Sequence, residues 1–273
     1  MTDRYAVMGN PVAHSKSPRI HTLFARQTGQ DIAYSAILVE LGGFAGAVTE
    51  FHAGGGRGLN ITVPFKEDAW ALAARRSDRA ELAGAVNTLV LDASGRHFGD
   101  NTDGAGLVRD LILNHGCVLT GKRVLLVGAG GAAQGVIEPL LSEQPALLLV
   151  ANRTPAKAVE LARRFCGLGR IEGCGLDGPE GQSFDVIINA TAASLSGTVP
   201  ALPVSVVGGE TWCYDMMYAD EPTAFVRWGT EHGAARSVDG LGMLVEQAAE
   251  SFYLWRDVRP DTGPVIEALR DNT

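Results

Sequence analysis

This 273-residue chain lacks any apolar run that approaches the ~20 residues needed to cross a bilayer; the longest, around 146–151, falls far short. Its opening, Met1-Thr2-Asp3-Arg4, lacks the apolar stretch of a secretion signal. Excess positive charge is also missing. The 23 Lys and Arg stand against 31 Asp and Glu, a formal net charge of −8. That balance argues against nucleic acid as a partner, because a phosphate backbone needs a positive field. It leaves room for a small anion, which needs only a local cluster. Cysteine is scarce: Cys117, Cys166, Cys174 and Cys213 show neither CxxC spacing nor a metal-ligand pattern, and read as reduced thiols in a cytoplasmic protein. There is no internal repeat. A membrane protein, a disulfide scaffold, a zinc module and a disordered tail are thereby set aside. With 46% apolar and 20% charged residues, the chain has the profile of a soluble globular protein. Its length suits one large domain or two ordinary ones.

Strand-like runs at 5–8, 34–39, 59–63, 86–91, 124–127, 147–151, 186–189 and 212–216 alternate with amphipathic helical stretches. Such alternation implies parallel sheets with helices on both faces. Residues 87–100 are the exception, where Asp92-Ala93-Ser94-Gly95 reads as a turn between antiparallel strands. Ser17-Pro18 and Thr154-Pro155 each read as a hydroxyl N-cap followed by proline at the first helical position. Leu119-Thr120-Gly121-Lys122 looks like entry into a new unit, with the domain change in a helix over 104–114. A last helix is expected over 241–256. Gly54-Gly55-Gly56 reads as a flexible loop, since no helix opens directly after it.

The strongest single signal is Val124-Leu125-Leu126-Val127-Gly128-Ala129-Gly130-Gly131-Ala132-Ala133, an apolar strand running through glycines into a helix. It matches GxGxxA: Gly128 permits the tight turn, Gly130 lets a pyrophosphate approach the backbone, and Ala133 lets helix pack on sheet. The helix start then offers free N–H groups and a positive dipole end. After the next strand an NAD site usually carries Asp or Glu. Here Asn152-Arg153-Thr154 stands, with Lys157 one turn later. No carboxylate repels a 2′-phosphate, and Arg153 can stack on adenine or fork onto that phosphate, so NADP is favoured.

The N-terminal half gathers small polar groups at strand ends: Ser15, Ser17, Asn60, Thr62, Lys66, Asn87, Asn101, Thr102 and Asp103. Hydroxyls and amides converging over one crevice suit a polyhydroxylated ligand. Lys66 with Asp103 is the chemically active pair, able to donate and accept a proton. Each residue has a plainer reading alone: Ser17 as an N-cap, Asn87 satisfying a turn, Asp103 capping a helix, Lys66 as a solvated helix residue.

The ordered blocks together resemble the shikimate dehydrogenase family over nearly the whole length. They are Gly9-Asn10-Pro11-Val12-Ala13-His14-Ser15-Lys16-Ser17-Pro18, Asn60-Ile61-Thr62-Val63-Pro64-Phe65-Lys66, Gly84-Ala85-Val86-Asn87-Thr88 and Gly99-Asp100-Asn101-Thr102-Asp103-Gly104. The glycine turn, Asn152-Arg153-Thr154, Asn189-Ala190-Thr191, Tyr214-Asp215-Met216 and Asp239-Gly240-Leu241-Gly242-Met243-Leu244 complete the set.

The resemblance implies an α/β protein of two α/β domains. A substrate domain with a mostly parallel sheet would cover 1–103, completed by 239–273. A Rossmann domain binding NADP would cover 104–238, with a cleft between the two that closes on binding. It implies reversible reduction of 3-dehydroshikimate to shikimate in aromatic amino acid biosynthesis, with Lys66 as general acid and base beside Asp103. Ser15 and Ser17 would hold the substrate carboxylate, Tyr218 assisting. Asn60, Thr62, Lys66, Asn87, Asp103 and Gln247 would meet its hydroxyls. NADP would lie on Gly128, Ala129, Gly130, Gly131, Ala132, Asn152, Arg153, Thr154 and Lys157, its nicotinamide near Ala190, Thr191, Met216 and Gly240. No metal, membrane or nucleic acid is implied, and a homodimer stays open. The chain departs from the family in two places. Ala192-Ala193-Ser194 replaces two hydroxyl residues and a glycine, and Gln134 replaces a common basic residue. Two rival readings stand beside this one: a quinate/shikimate dehydrogenase with relaxed substrate or cofactor choice, and a non-catalytic NADP-sensing protein.

Overall fold

A computed structural model describes residues 2–271 of the chain. It divides into two compact units, 2–106 with 245–271, and 107–244. The division falls inside two helices.

The first unit opens with β1 (Asp3–Gly9), α1 (Ser17–Thr28), β2 (Ile32–Leu38), α2 (Phe44–Ala53), β3 (Gly56–Ile61) and α3 (Lys66–Leu72). It continues through β4 (Arg75–Arg76), α4 (Asp78–Ala83), β5 (Thr88–Val90), β6 (Phe98–Asp100) and α5 (Asp103–Arg109). Its six strands lie in the order β2-β1-β3-β5-β6-β4. The sheet is mixed: β1 pairs parallel with β2 and β3, and β4 with β6, while β5 runs antiparallel to both neighbours. The β5–β6 hairpin over Asp92–Gly95 is the antiparallel exception that the turn signal predicts. Ala6, Met8, Leu59, Ile61 and Leu89 pack with Phe44, Val48 and Phe65 into the core.

The second unit carries β7 (Arg123–Val127), α6 (Gly131–Ser142), β8 (Leu147–Ala151), α7 (Pro155–Phe165), β9 (Ile171–Cys174), β10 (Val186–Asn189), β11 (Trp212–Asp215), α8 (Ala224–Glu231) and β12 (Arg236–Val238). The order is β12-β11-β10-β7-β8-β9, parallel throughout. This is the doubly wound arrangement whose strand order reverses between β7 and β10. Its central strands are buried on both faces and read as unbroken apolar runs, as parallel sheets require. The chain then returns through α9 (Leu241–Arg256) and α10 (Gly263–Arg270).

Three strands escape the sequence reading: β4, β9 and β12. All are short and stand at or next to a sheet edge, where ladder hydrogen bonds from one neighbour hold polar or glycine-containing segments that have little strand character of their own. Three local expectations are corrected. Helix α1 begins at Ser17 itself, so Ser17 is not the N-cap; Lys16 is, and the Ser17 N–H donates to Ser15 Oγ at 3.3 Å. Thr154 does occupy the N-cap of α7, but its hydroxyl makes no capping bond. The glycine triplet at 54–56 is an ordered helix-to-strand turn rather than a loose loop: Gly54 closes α2 and Gly56 opens β3. The helix over 104–114 forms as α5 followed by one π-helical turn, Asp110–Asn114.

Candidate active site

In the first unit, the buried face of α1 is Ser17, Ile20, His21, Phe24 and Ala25, a stripe at i, i+3, i+4, i+7 that sets Ser17 and His21 one turn apart on one side. Strand β3 presents Asn60, and Thr62 follows it. Lys66 is the first residue of α3 and Asp103 the first of α5. Asn87 directly precedes β5, and Gln247 lies on α9.

These elements bring predicted site residues into one network. Lys66 Nζ donates to Asp103 Oδ2 at 2.5 Å. The pair is not sealed: the lysine side chain is 26% exposed and the aspartate 12%, so a bound molecule can reach it. Asn87 Nδ2 donates to Asp103 Oδ1 at 2.8 Å and to Gln247 Oε1 at 3.3 Å. Asn87 Oδ1 accepts the Thr102 N–H at 2.9 Å. Asn60 is buried and its amide is satisfied inside the protein. Its Oδ1 accepts from the Tyr34 hydroxyl at 2.7 Å and faces His21 Nε2 at 3.1 Å; its Nδ2 donates to Ser251 Oγ at 2.9 Å and Thr88 Oγ1 at 3.2 Å. Thr62 is half-buried at the end of β3, with its N–H on the Met8 carbonyl. Tyr218 belongs to the other unit, in the segment after β11, where burial raises its hydroxyl above the usual phenol range.

A second ionic cluster braces the segment that carries Asp103. Arg79 Nε and Nη2 donate to the two oxygens of buried Asp100 at 2.7 and 2.5 Å, and Arg79 also meets Glu250 at 3.1 Å. Burial alone would raise Asp100. The Arg79 bond and charge, the Ser77 hydroxyl and the Asn101 N–H more than reverse that and hold its carboxyl below the usual range. Glu250 is likewise lowered: burial opposes, but Arg259 and Arg79 prevail. The Asp100 anion thus anchors the three residues leading to Asp103.

In the second unit the glycine turn sits at the carboxyl end of β7, at the point where strand order reverses. Gly128 has φ +117°, and a Cβ there would lie 3.1 Å from Thr191 Cγ2. A Cβ on Gly130 or Gly131, at the start of α6, would meet nothing within 4 Å, so open space lies beside the backbone there. Ala133 is fully buried against the sheet. This is a cradle a side chain would fill, and its donors suit a pyrophosphate. Neighbouring strand ends supply Ala190, Thr191, Met216 and Gly240. The buried Asn189 orders them: its Nδ2 donates to Asp215 Oδ1 at 2.9 Å, and its Oδ1 accepts the Thr191 N–H and hydroxyl at 3.1 and 2.7 Å. Gly240 is pressed against Met216, whose carbonyl oxygen would lie 2.4 Å from a Cβ.

Arg153, Thr154 and Lys157 are exposed at the start of α7, with Asn152 half-buried before them and its Nδ2 on the Thr154 carbonyl at 3.0 Å. Beside them a groove of about 380 Å³ is lined by Ala129, Gln134, Lys157, Leu161 and Arg164, among others. Gln134, the departure from the family, accepts from Arg164 Nη1 at 3.0 Å. A cation therefore stands at that place after all, delivered by α7 instead of α6. Its sequence signal was the i, i+7 spacing of Lys157 and Arg164 on one helix face. Ala193 N–H caps onto Thr191 Oγ1 at 3.3 Å within the other departure. The residues that the sequence reading did not single out for the first unit are His21, Tyr34, Thr88 and Ser251. Only the one-turn spacing of His21 from Ser17 pointed to any of them.

Comparison with known proteins agrees with both halves. Residues 7–89 match the family described as "Shikimate dehydrogenase substrate binding domain", 111–197 match "Shikimate / quinate 5-dehydrogenase", and 240–270 match "Shikimate 5'-dehydrogenase C-terminal domain". The Shikimate dehydrogenase (NADP(+)) of Nitrosococcus oceani is 59% identical over 270 residues, covering 99% of this chain and 96% of that protein. The chain belongs to the shikimate dehydrogenase family. Among solved structures, shikimate 5-dehydrogenase from Thermus thermophilus, in complex with NADP(H) and shikimate, superposes with TM-score 0.88 at 33% identity, covering 100% of each chain. An Ael1 enzyme from Pseudomonas putida superposes with TM-score 0.93 at 48% identity, covering 98% of each. The chain has the two α/β units expected from its motifs, each built on a six-stranded sheet. No helix among the described residues is long and apolar enough to cross a membrane, and all four cysteines are free thiols.

Proposed function

We propose that this chain is an NADP-dependent shikimate dehydrogenase that interconverts 3-dehydroshikimate and shikimate, with Lys66 as its general acid and base. The observation that carries the assignment of roles is the Lys66–Asp103 pair, 2.5 Å apart and open to a bound molecule on one side. NADPH, when bound, supplies the hydride that reduces the ketone carbon. As charge builds on the ketone oxygen, Lys66 neutralises it by giving a proton, and in the reverse direction it takes the proton back. Such positioned acid–base help is worth ~10²–10⁴ in rate. Asp103 holds the ammonium and accepts from the neighbouring substrate hydroxyl. Asn87, Thr62 and Gln247 meet the remaining hydroxyls, each able to donate and accept. Ser15 and Ser17 offer hydroxyls to the carboxylate, with Tyr218 assisting.

Gly128, Ala129, Gly130, Gly131 and Ala132 hold the pyrophosphate on the start of α6. Asn152, Arg153, Thr154 and Lys157 take the adenosine end, and the exposed cations Arg153 and Lys157 favour the 2′-phosphate of NADP over the bare ribose of NAD. Ala190, Thr191, Met216 and Gly240 receive the nicotinamide. The retained lysine–carboxylate pair speaks for catalysis over a sensing role, which needs no proton donor. In this reading the enzyme works in the cytoplasm, as a single chain or a homodimer, which sedimentation velocity separates. The test of the whole is the growth of absorbance at the NADPH band when shikimate and NADP are mixed with the protein. Rapid growth is expected; its absence, despite NADP binding, would move the chain to the sensing class. Quinate and NAD, run in parallel, define how strict the enzyme is.

A further inference from the structure

The geometry points to His21 as a positioning residue for the Lys66–Asp103 pair, acting through an unbroken chain of buried hydrogen bonds, Asn60, Thr88 and Asn87, that ends on the Asp103 carboxylate. The inference rests on the catalytic reading of Lys66 and Asp103 given above.

The two asparagine amides in this chain of bonds are each oriented by their partners. At the Asp103 end, Asn87 sits between a group that only donates and one that only accepts. The Thr102 N–H gives to Oδ1 at 2.9 Å, and the ionised Asp103 Oδ1 takes from Nδ2 at 2.8 Å. The orientation of the Asn87 amide is therefore set by chemistry. Thr88 Oγ1 lies 2.9 Å from Asn87 Oδ1 and 2.7 Å from Ser251 Oγ, and gives its proton to one of them. That leaves the Thr88 oxygen as acceptor for Asn60 Nδ2 at 3.2 Å. The same Nδ2 gives to Ser251 Oγ at 2.9 Å, and the Asn87 carbonyl, which only accepts, stands 3.4 Å away on the same side. Asn60 Oδ1 thus faces the other way, to the Tyr34 hydroxyl at 2.7 Å and His21 Nε2 at 3.1 Å. His21 must carry its proton on Nε2.

The histidine is built to keep that tautomer. Its ring is fully buried and stacked on Tyr34, with centroids 4.2 Å apart and planes 6° from parallel. Phe24, Phe252 and Trp255 close the box. Its Nδ1 is a buried atom without a hydrogen-bond partner among the described residues, which costs free energy and has no purpose in the packing of α1. Burial drives the ring's pKa down to about 3, with the Asn60 bond pulling weakly the other way, so the ring stays neutral. A phenylalanine would fill the same aromatic box without a bare nitrogen. What the imidazole adds is one N–H aimed at Asn60. Tyr34 also faces the Ser17 hydroxyl, so the same box steadies a second part of the proposed substrate site. Asn60, a direct substrate contact on the sequence reading, becomes a link behind the surface that substrate touches.

Without the N–H, Asn60 Oδ1 keeps only the Tyr34 hydroxyl, and the amide is held less firmly in its orientation. Its Nδ2 then holds Thr88 less tightly, and Asn87 Oδ1, still on the Thr102 N–H, has a weaker second hold on the orientation that keeps Nδ2 on Asp103. The proton-transfer geometry loosens while the NADP cradle, in the other unit, is untouched.

The experiment is a double-mutant cycle on the whole enzyme, with kcat and KM measured for shikimate and NADP. His21→Phe and Thr88→Val each remove one donor from the chain and keep shape. Each is expected to lower kcat about tenfold, the scale of one buried hydrogen bond, with KM for NADP unchanged. In the double variant the loss should stay near tenfold, because a chain already broken at one link loses little at the second. His21→Gln, which keeps a donor, should recover most of the rate. Losses that multiply to about a hundredfold, a glutamine as slow as phenylalanine, or a single variant at normal kcat with only a lower Tm would each overturn the inference. Should His21→Phe fail to fold, His21→Met, which also lacks a donor, takes its place in the same cycle with the same two outcomes. Lys66→Ala is run alongside. If it retains turnover, the catalytic reading itself falls and takes this inference with it. If it is inactive while His21→Phe is normal, only the positioning role falls.

Discussion

The two units of this enzyme build their proposed sites by opposite means. The first fills its site with side chains that satisfy one another: Lys66 on Asp103, Asn87 on Asp103, Thr88 and Ser251 on Asn60. The second makes its site by leaving side chains out. Gly128, Gly130 and Gly131 clear the backbone at the start of α6, and Ala133 brings that helix close to the sheet. A polyhydroxylated ligand must be told apart by where its donors and acceptors lie, so the groups that read it are locked by partners. A pyrophosphate asks only for N–H groups and positive potential, which any exposed helix start can offer once the space is free. Hydrogen bonds brace both units, through Asn87 and Asn60 in one and Asn189 in the other, but only the second leaves its glycine turn bare.

If that contrast holds, changes in the first unit fall on turnover and changes in the second on cofactor affinity. The largest effect belongs to Lys66→Ala, which should lower kcat by ~10²–10⁴ and leave NADPH affinity, read by fluorescence titration, near that of the parent enzyme. An alanine variant with near-normal kcat would falsify the proton-transfer role. Next comes Gly128→Val. Its φ of +117° and the 3.1 Å approach to Thr191 cost a side chain on the order of 1–3 kcal/mol, so NADPH should bind about tenfold to a hundredfold more weakly; shikimate affinity, measured by calorimetry without cofactor, should not move.

A third prediction concerns acid. His21 is neutral in the fold, its pKa lowered by burial from an ordinary 6.5 to about 3. Between those values the unfolded chain binds a proton that the native state refuses. Stability therefore falls as pH drops below about 6, by ~1.4 kcal/mol per pH unit. Asp100 and Glu250, held low in the fold, contribute stability above their unfolded values, near ~4, and lose it as pH falls through the lowered ones. Urea midpoints from pH 7 to 4 should show the loss beginning well above the carboxylate range. In His21→Phe the upper part should become shallower, keeping the share of His97, whose pKa burial and the His52 charge also lower, and the lower part should remain; an unchanged profile would remove His21 from the account. The smallest effect is Arg153→Ala, which should raise KM for NADP about tenfold, the scale of one charged hydrogen bond, and spare NAD. Equal losses with both cofactors would refute the 2′-phosphate role.

Much of this was legible along the chain. The GxGxxA turn announced itself because its chemistry is local: one strand, three small residues and one helix, contiguous in sequence. Lys66 and Asp103 could be named by type and by the family's ordered blocks. Their meeting could not be read, since 37 positions separate them and only the β3–β5–β6 pairing carries one toward the other. Ser17 reads as a cap, yet it starts its helix after Lys16, with its own N–H on Ser15 Oγ. Three short strands at or beside sheet edges were missed, since their order comes from a neighbour. Arg164 was overlooked because the missing cation was sought on α6 and came from α7.

By itself, then, the amino-acid order decided the α/β class, the place of the dinucleotide turn, the absence of a carboxylate after β8 and the family. These follow from periodicity and from contiguous motifs, which depend on neighbours a few residues away. Which polar groups pair, and which way each amide points, was decided only in three dimensions. Donors and acceptors from α1, β3, β5, α5 and α9 have to be brought within about 3 Å before any of them can constrain another.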